Sequence, residues 1–189
     1  LSAVADFCLH HCCRYLWKDQ PDGIILLGLG KFGGRELGFR SDLDLIAFYD
    51  DRVFHDSVLP QKLVSNLVKE LQVQASEGRL FELDFRLRPH GRNAPLVPSL
   101  QYALNYYRHE AATWERLALT RCRPLWGNPE ILEPFYQDLL NWVYGDYSLD
   151  SLYSEIRGMR SRLETEKKEQ VLKAGPGGLL DVEFIVQTA

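Results

Sequence analysis

No apolar run in this sequence approaches the roughly 18 residues of a membrane span, which excludes a helix crossing a bilayer. The first segment does not read as a signal peptide, because His10, His11 and Arg14 interrupt it. Charge of one sign is not in excess. The 22 Lys+Arg stand against 26 Asp+Glu, a net charge of −4, which argues against a general nucleic-acid binder. Cysteine is scarce: Cys8, Cys12 and Cys13 sit together and Cys122 alone, too few and too clustered for a disulfide framework. A reduced, cytoplasmic protein is expected. Cys8, His11 and Cys12 lack a second ligand pair at zinc spacing. Cys8 and Cys12 instead fall on the apolar stripe Leu1, Val4, Ala5, Cys8, Leu9, Cys12 and Leu16, and are expected in the core. Internal repeats and low-complexity tracts are absent. What is present is 46% hydrophobic and 12% aromatic residues over 189 positions, enough to bury a core. That length suits one catalytic domain, or a small domain with a helical appendage.

The periodicity predicts an amphipathic helix over residues 1–17 and a turn at Pro21-Asp22-Gly23. Short buried strands are expected over 24–29 and 43–49, separated by a glycine-rich polar segment, 30–40. A helix follows over 61–76, ended near Gly78. Residues 80–87 alternate strictly and predict a strand. Phe81, Leu83, Phe85 and Leu87 would point one way, and Glu82, Asp84, Arg86 and Arg88 the other. Residues 89–98 read as a loop. Ser99 is the expected N-cap of one helix carrying Leu100, Leu104, Tyr107, Ala111, Trp114 and Ala118, with Trp114 in the core. Pro124 to Pro129 should break it, and helices are expected over 130–144, 149–173 and 180–187, the last after the Gly175-Pro176-Gly177-Gly178 loop. The order gives a core over 1–98, built on an N-terminal helix, and a helical region over 99–189. The sequence stops without a cap or polar tail, as if cut inside a helix.

Gly28-Leu29-Gly30-Lys31-Phe32-Gly33 satisfies G-x-G-x-x-G after a strand, and Asp50 stands about twenty residues on, as in a dinucleotide-binding fold. Against that reading, Gly33, Gly34 and Gly38 leave little room for a crossover helix, and no second βαβ unit follows. A P-loop is excluded, since Lys31 is not followed by Ser or Thr at the required place. The acids offer another chemistry. The spacing of Asp42 and Asp44 puts both carboxylates on one face of a strand, and Asp84 lies on the polar face of the next. Three such carboxylates can hold two divalent cations about 4 Å apart. The Gly33-Gly34 turn would let backbone N–H groups approach a triphosphate. Each piece also has a plain structural reading. The alternating strand can simply face water, Arg86 and Arg88 can pair with Glu82 and Asp84, and the glycines can form only a tight turn.

Four stretches carry a family resemblance. Gly28-Leu-Gly-Lys-Phe-Gly-Gly-Arg-Glu-Leu-Gly-Phe-Arg-Ser-Asp-Leu-Asp-Leu-Ile resembles the nucleotidyltransferase signature of the glutamine synthetase adenylyltransferase and adenylyl-removing family. Leu83-Asp-Phe-Arg-Leu-Arg-Pro is similar to its third-carboxylate strand. Glu110-Ala-Ala-Thr-Trp-Glu-Arg-Leu-Ala-Leu-Thr-Arg-Cys-Arg-Pro is similar to its central helix, and Gly175-Pro-Gly-Gly-Leu-Leu-Asp-Val-Glu-Phe-Ile-Val-Gln to its glycine-led helix. The resemblance implies an α+β fold with a polymerase-β-like nucleotidyltransferase core, a small mixed sheet with helices, plus a helical C-terminal part. It implies ATP as substrate, two Mg²⁺ ions (or Mn²⁺), glutamine synthetase as target and a PII-type signalling protein as regulator of a longer, two-domain enzyme.

The family's metal ligands and catalytic residues carry over onto Asp42, Asp44 and Asp84, with Asp84 a further acceptor for the hydroxyl proton. Gly33 and Gly34 would cradle phosphate, with Lys31, Arg40, Ser41, Arg86 and Arg88 as its partners. Glu183 would add a further carboxylate or, the preferred reading, pair with an Arg, and Glu115 would orient an active-site Arg. Glu110-Ala-Ala-Thr-Trp-Glu and Gly178-Leu-Leu-Asp-Val-Glu-Phe are nearer the adenylylating half, whereas Trp114-Glu115-Arg116 is the removing-type local sequence. Adenylylation of a tyrosine hydroxyl is the expected direction. The reverse phosphorolysis to ADP, and a module that only binds nucleotide or protein, are the alternatives. The resemblance also implies that the sequence ends before the helices that complete such a domain.

Overall fold

The computed structural model describes residues 1–75, 78–79, 81–145, 149–166 and 175–188. Its centre is β1 (Ile24–Gly28), a five-residue run with every side chain buried. Alternation sends Ile24 and Leu26 to one face and Ile25 and Leu27 to the other, so both faces must be covered. Helices α1 (Ser2–Trp17) and α3 (Val58–Leu71) cover the first face through Ala5, Leu9, Cys13, Leu63 and Leu67. Helices α4 (Leu100–His109) and α6 (Pro129–Val143) cover the second through Ala103, Tyr107, Phe135 and Leu139.

The sheet has four strands in the order β5-β2-β1-β6. β2 (Leu43–Tyr49) runs antiparallel to β1, with Gly28 opposite Leu45. β5 (Leu83–Asp84) runs parallel to β2. β6 (Arg123–Trp126) is antiparallel to β1. The result is an α+β fold on a small mixed sheet, with helices towards the C-terminus. Between β1 and β2 lies α2 (Gly30–Gly33), a single turn of helix. Because β1 and β2 are antiparallel, the dinucleotide-binding reading of the glycine pattern is excluded: that fold needs a parallel crossover there.

Several expectations are corrected. α1 is rotated from its predicted stripe. Ser2, Ala5, Leu9, Cys13 and Trp17 are buried, Leu1 and Val4 are exposed, and Cys8 and Cys12 pack at the margin. Helix α3 ends at Leu71, and β3 (Gln74–Ala75) and β4 (Gly78–Arg79) form a separate two-stranded ladder. The strand predicted over 80–87 shrinks to Leu83–Asp84, Leu80 lying outside the described residues. Asp84 takes the Arg86 N–H in a local turn (2.8 Å), and such a bond competes with the ladder.

The single helix expected after Ser99 is two. Ser99 does cap α4, accepting from the Tyr102 N–H at 3.2 Å. The chain then breaks at Ala112, and α5 (Thr113–Leu119) starts with the Glu115 carboxylate accepting the Ala112 N–H at 2.9 Å. In that new register Trp114 is 43% exposed rather than core. The Pro124 to Pro129 breaker conceals β6. An edge strand tolerates Pro124, and the pairing carries a register shift opposite Leu26 and Leu27. So the region after residue 98 contributes a strand to the sheet as well as helices. Helices α7 (Leu149–Glu166) and α8 (Leu179–Thr188) complete the described chain, and residues 167–173 of the expected helix lie outside it. Leu117, Leu152 and Ile156 form a small third cluster with Met159 and Phe184, tying α5, α7 and α8.

Candidate active site

Asp42 immediately precedes β2 and Asp44 is its second residue, and the parallel register sets Asp44 beside Asp84. Asp44 and Asp84 are half-buried and Asp42 is exposed. Burial, then the charges of Asp84 and Asp42, push the Asp44 carboxyl up to about 6, while Arg86 and Lys31 pull the other way. Both other acids therefore act on Asp44. Burial also pushes Asp84 up, but hydrogen bonds and charge from Arg86 prevail and hold it below its ordinary value. Arg86 Nε donates to Asp84 Oδ2 at 2.6 Å, and its terminal nitrogen pairs with the same oxygen. Arg92, from the loop after β5, adds a second positive charge near Asp84. The donor set suits a hard cation, being oxygen-only and mutually repelling. As the side chains stand, no three His, Cys, Asp or Glu among the described residues converge closely enough to hold one.

The α2 turn abuts this cluster. Gly30 has φ +53°, and a Cβ there would fall 2.4 Å from Asp44 Oδ2. Only glycine allows both the backbone and the carboxylate. A Cβ on Gly33 would fall 1.8 Å from the Arg121 carbonyl oxygen and 2.6 Å from that of Gly28. Gly33 is thus a packing glycine. Its N–H donates to the Leu29 carbonyl (2.7 Å), and that of Gly34 to the Gly30 carbonyl (3.0 Å). Both donors expected to cradle phosphate are engaged inside the turn.

Lys31 is exposed beside the acids, its charge felt at Asp44. Arg40 is exposed with φ +60°, and the Ser41 hydroxyl accepts from the Gly38 N–H (3.1 Å). Both line a cleft of about 410 Å³ with Asp42, Leu37, Phe39 and Phe81. Arg88 does not share the face of Asp84. It is buried, and its guanidinium donates to the carbonyls of Phe85 (2.7 Å), Ala94 (3.0 Å) and Pro95 (2.9 Å), closing the loop after β5.

Glu115 is buried and accepts from the Tyr106 hydroxyl (2.9 and 2.8 Å) as well as from Ala112. Burial and Glu115 together push Tyr106 up to about 12, and the His90 ring packs edge-on against Tyr106 at 4.5 Å. The tie runs from Glu115 through Tyr106 to the loop after β5. Glu183 pairs with Arg121 (3.7 Å), which also pairs with Glu36. Two residues that the sequence reading missed stand behind the glycines. Arg123 on β6 donates to the Phe32 and Gly33 carbonyls, and Asp6 of α1 accepts from it at 2.6 Å. The only signal for Arg123 was membership of the Glu110-to-Pro124 stretch, and Asp6 carried none.

Residues 1–137 match the family described as glutamate-ammonia ligase adenylyltransferase, and the chain belongs to it. It is 35% identical over 187 residues to a bifunctional glutamine synthetase adenylyltransferase/adenylyl-removing enzyme of Bartonella henselae, an alignment covering 90% of this chain and 19% of that protein. The namesake of Nitrosomonas eutropha is 37% identical over 198 residues, covering 99% of this chain and 21% of that protein. The chain thus spans about a fifth of the length of these curated relatives. Among solved structures, a toxin-antitoxin with AMP-PNP superposes at a TM-score of 0.38 and 15% identity, over 85% of this chain and 96% of that one.

Proposed function

We propose that this member of the glutamate-ammonia ligase adenylyltransferase family is a nucleotidyltransferase domain that moves AMP from ATP to a tyrosine hydroxyl of glutamine synthetase, with pyrophosphate as the leaving group. The observation that carries the reading is the in-register pair Asp44 and Asp84 on parallel strands, with Asp42 beside them and a glycine turn in contact. Asp42, Asp44 and Asp84 would hold divalent cations, Mg²⁺ or Mn²⁺, with Arg86 the competing cation at Asp84. Bound there, the metal supplies Lewis-acid chemistry: it lowers the pKa of the attacking hydroxyl and neutralises phosphate charge. The protein's own part is mainly positioning. Lys31 and Arg86 bring positive charge to the rim where a triphosphate would lie. Arg40 and Ser41 extend that rim along the cleft past Asp42. The Asp84 carboxylate is a candidate acceptor for the hydroxyl proton. A PII-type protein acting on the longer enzyme belongs to the same reading.

The test is transfer of label from α-labelled ATP, with Mg²⁺, to unmodified glutamine synthetase, with Asp42→Asn as control. Labelled synthetase, lost in the variant, supports adenylylation. Phosphate-dependent release of ADP from pre-adenylylated synthetase assigns the removing direction instead. Silence in both directions, with the chain folded, overturns the reading.

A further inference from the structure

The α2 turn is four residues long, about 6 Å of helix, and just beyond it the Arg35 and Glu36 N–H groups donate to the Phe32 (3.2 Å) and Lys31 (2.7 Å) carbonyls. Arg123 adds side-chain donors at this end. Its Nε donates to the Gly33 carbonyl at 3.1 Å and the Phe32 carbonyl at 3.3 Å, and its terminal nitrogen donates to Phe32 at 3.2 Å. A guanidinium suits this end of a helix by charge as well as by hydrogen bonding. The same terminal nitrogen reaches Asp6 of α1 at 2.6 Å, and the guanidinium lies 4.9 Å from the centroid of the fully buried Phe32 ring. α1 grips the segment again further along, where the Ser2 hydroxyl accepts the Leu37 N–H at 3.2 Å. At the other end of the turn, Gly30 touches the Asp44 carboxylate. A shift of so short an element at its Arg123 end must be felt at its Asp44 end.

We propose that Asp6 and Arg123 act as one positioning unit that fixes the glycine turn against Asp44, making α1 a working part of the nucleotide site. The proposal rests on the nucleotidyltransferase reading for its consequence, and on the contacts alone for its geometry. Lysine cannot replace Arg123 fully. An ammonium lacks the planar fork that serves two carbonyls and a carboxylate together.

The experiment compares Asp6→Asn, Arg123→Lys, Arg123→Gln and the double variant Asp6→Asn/Arg123→Gln in the full chain. Amide hydrogen exchange is followed at Gly33 and Gly34 without nucleotide, and the Kd of a non-hydrolysable ATP analogue is measured with Mg²⁺. Exchange at Gly33 and Gly34 should quicken about tenfold in Asp6→Asn and Arg123→Gln, with Arg123→Lys between them and wild type. Exchange in β1 should stay unchanged. Analogue affinity should fall about five- to tenfold in each single variant, and the double variant should be no worse than Arg123→Gln. Additive losses in the double variant, unchanged exchange at the two glycines, or faster exchange spread through β1 would each overturn the proposal. If wild type fails to bind the analogue, the nucleotidyltransferase reading falls, while the exchange pattern still decides whether the pair positions the turn.

Discussion

Gly33 and Gly34 are neighbours in sequence, yet the structure assigns them opposite tolerances. Replacing Gly33 by Ala drives a methyl to 1.8 Å from the Arg121 carbonyl oxygen and 2.6 Å from that of Gly28. Both are backbone atoms, one in the short connection before β6 and one at the end of β1, so relief requires the sheet edge to open. Overpacking costs typically about 1–3 kcal/mol, and a clash with two carbonyls belongs at the upper end of that range. For a chain of this length about 3 kcal/mol lowers Tm by roughly 6–12 °C. At Gly34 a methyl would meet Arg121 Nε and Glu36 Oε1 at 3.3 Å, both ends of flexible side chains, at an ordinary φ of −74°. Ala there should be neutral, or stabilising by about 0.4–1 kcal/mol through the unfolded chain. Urea and thermal denaturation of the two variants measure this directly. A Gly33→Ala protein within about 0.5 kcal/mol of wild type, or a Gly34→Ala protein equally damaged, would refute the close-packing argument.

Gly30→Ala should separate stability from function. The methyl falls on Asp44 Oδ2, so label transfer should be lost while Tm drops less than in Gly33→Ala, as melting curves and transfer assays on one preparation would establish. Arg88→Ala should behave as a structural variant. Three carbonyls lose their donor, the Phe85 carbonyl buried and those of Ala94 and Pro95 part-buried; the buried one alone costs about 1–3 kcal/mol, and denaturation should register about 2 kcal/mol or more, whereas an unchanged midpoint would return Arg88 to the candidate phosphate partners. Tyr106→Phe should cost about 1–3 kcal/mol by removing a donor from the buried Glu115, measured by urea denaturation. Hydrogen bonds from Arg52 hold Asp50 below its ordinary carboxylate value, so its contribution is present at neutral pH and disappears as pH falls through that lowered value. The stability gap between wild type and Arg52→Ala should therefore be present at pH 7 and close below about pH 4, as urea midpoints across that range would reveal.

The readable parts of the fold were those where one local rule acts alone. β1 and β2 declare themselves by unbroken apolar runs, and Ser99 by its place before an apolar helix. The parts that misled have a tertiary cause. Glu115 breaks the long helix because it serves Ala112 and Tyr106, a partner nine residues back. β6 is four residues with a proline, and only β1 makes it a strand. Among the candidate site residues, the nearness of Asp42 to Asp44 follows from a spacing of two, whereas the pairing of Asp44 with Asp84 depends on the parallel register of β2 and β5. The role of Arg88 was not legible, because the strand that would have aimed it ends at Asp84. Gly33 was expected to cradle phosphate, but the structure gives it a packing role against the Arg121 carbonyl, some ninety positions away, which no local pattern encodes.

The placement of β6 also sets an order in time. Both carboxylate strands are complete once residue 84 has been made, but the back wall of the turn arrives only with residues 121–123. At synthesis rates of about 5–20 residues per second, that interval is roughly 2–8 s. Through it a nascent chain can carry the acids and the glycines yet have nothing behind Gly33 and no guanidinium on the turn. The candidate site is therefore assembled from the middle strands of the sheet outward, and its last piece comes from β6, the edge strand farthest from Asp84.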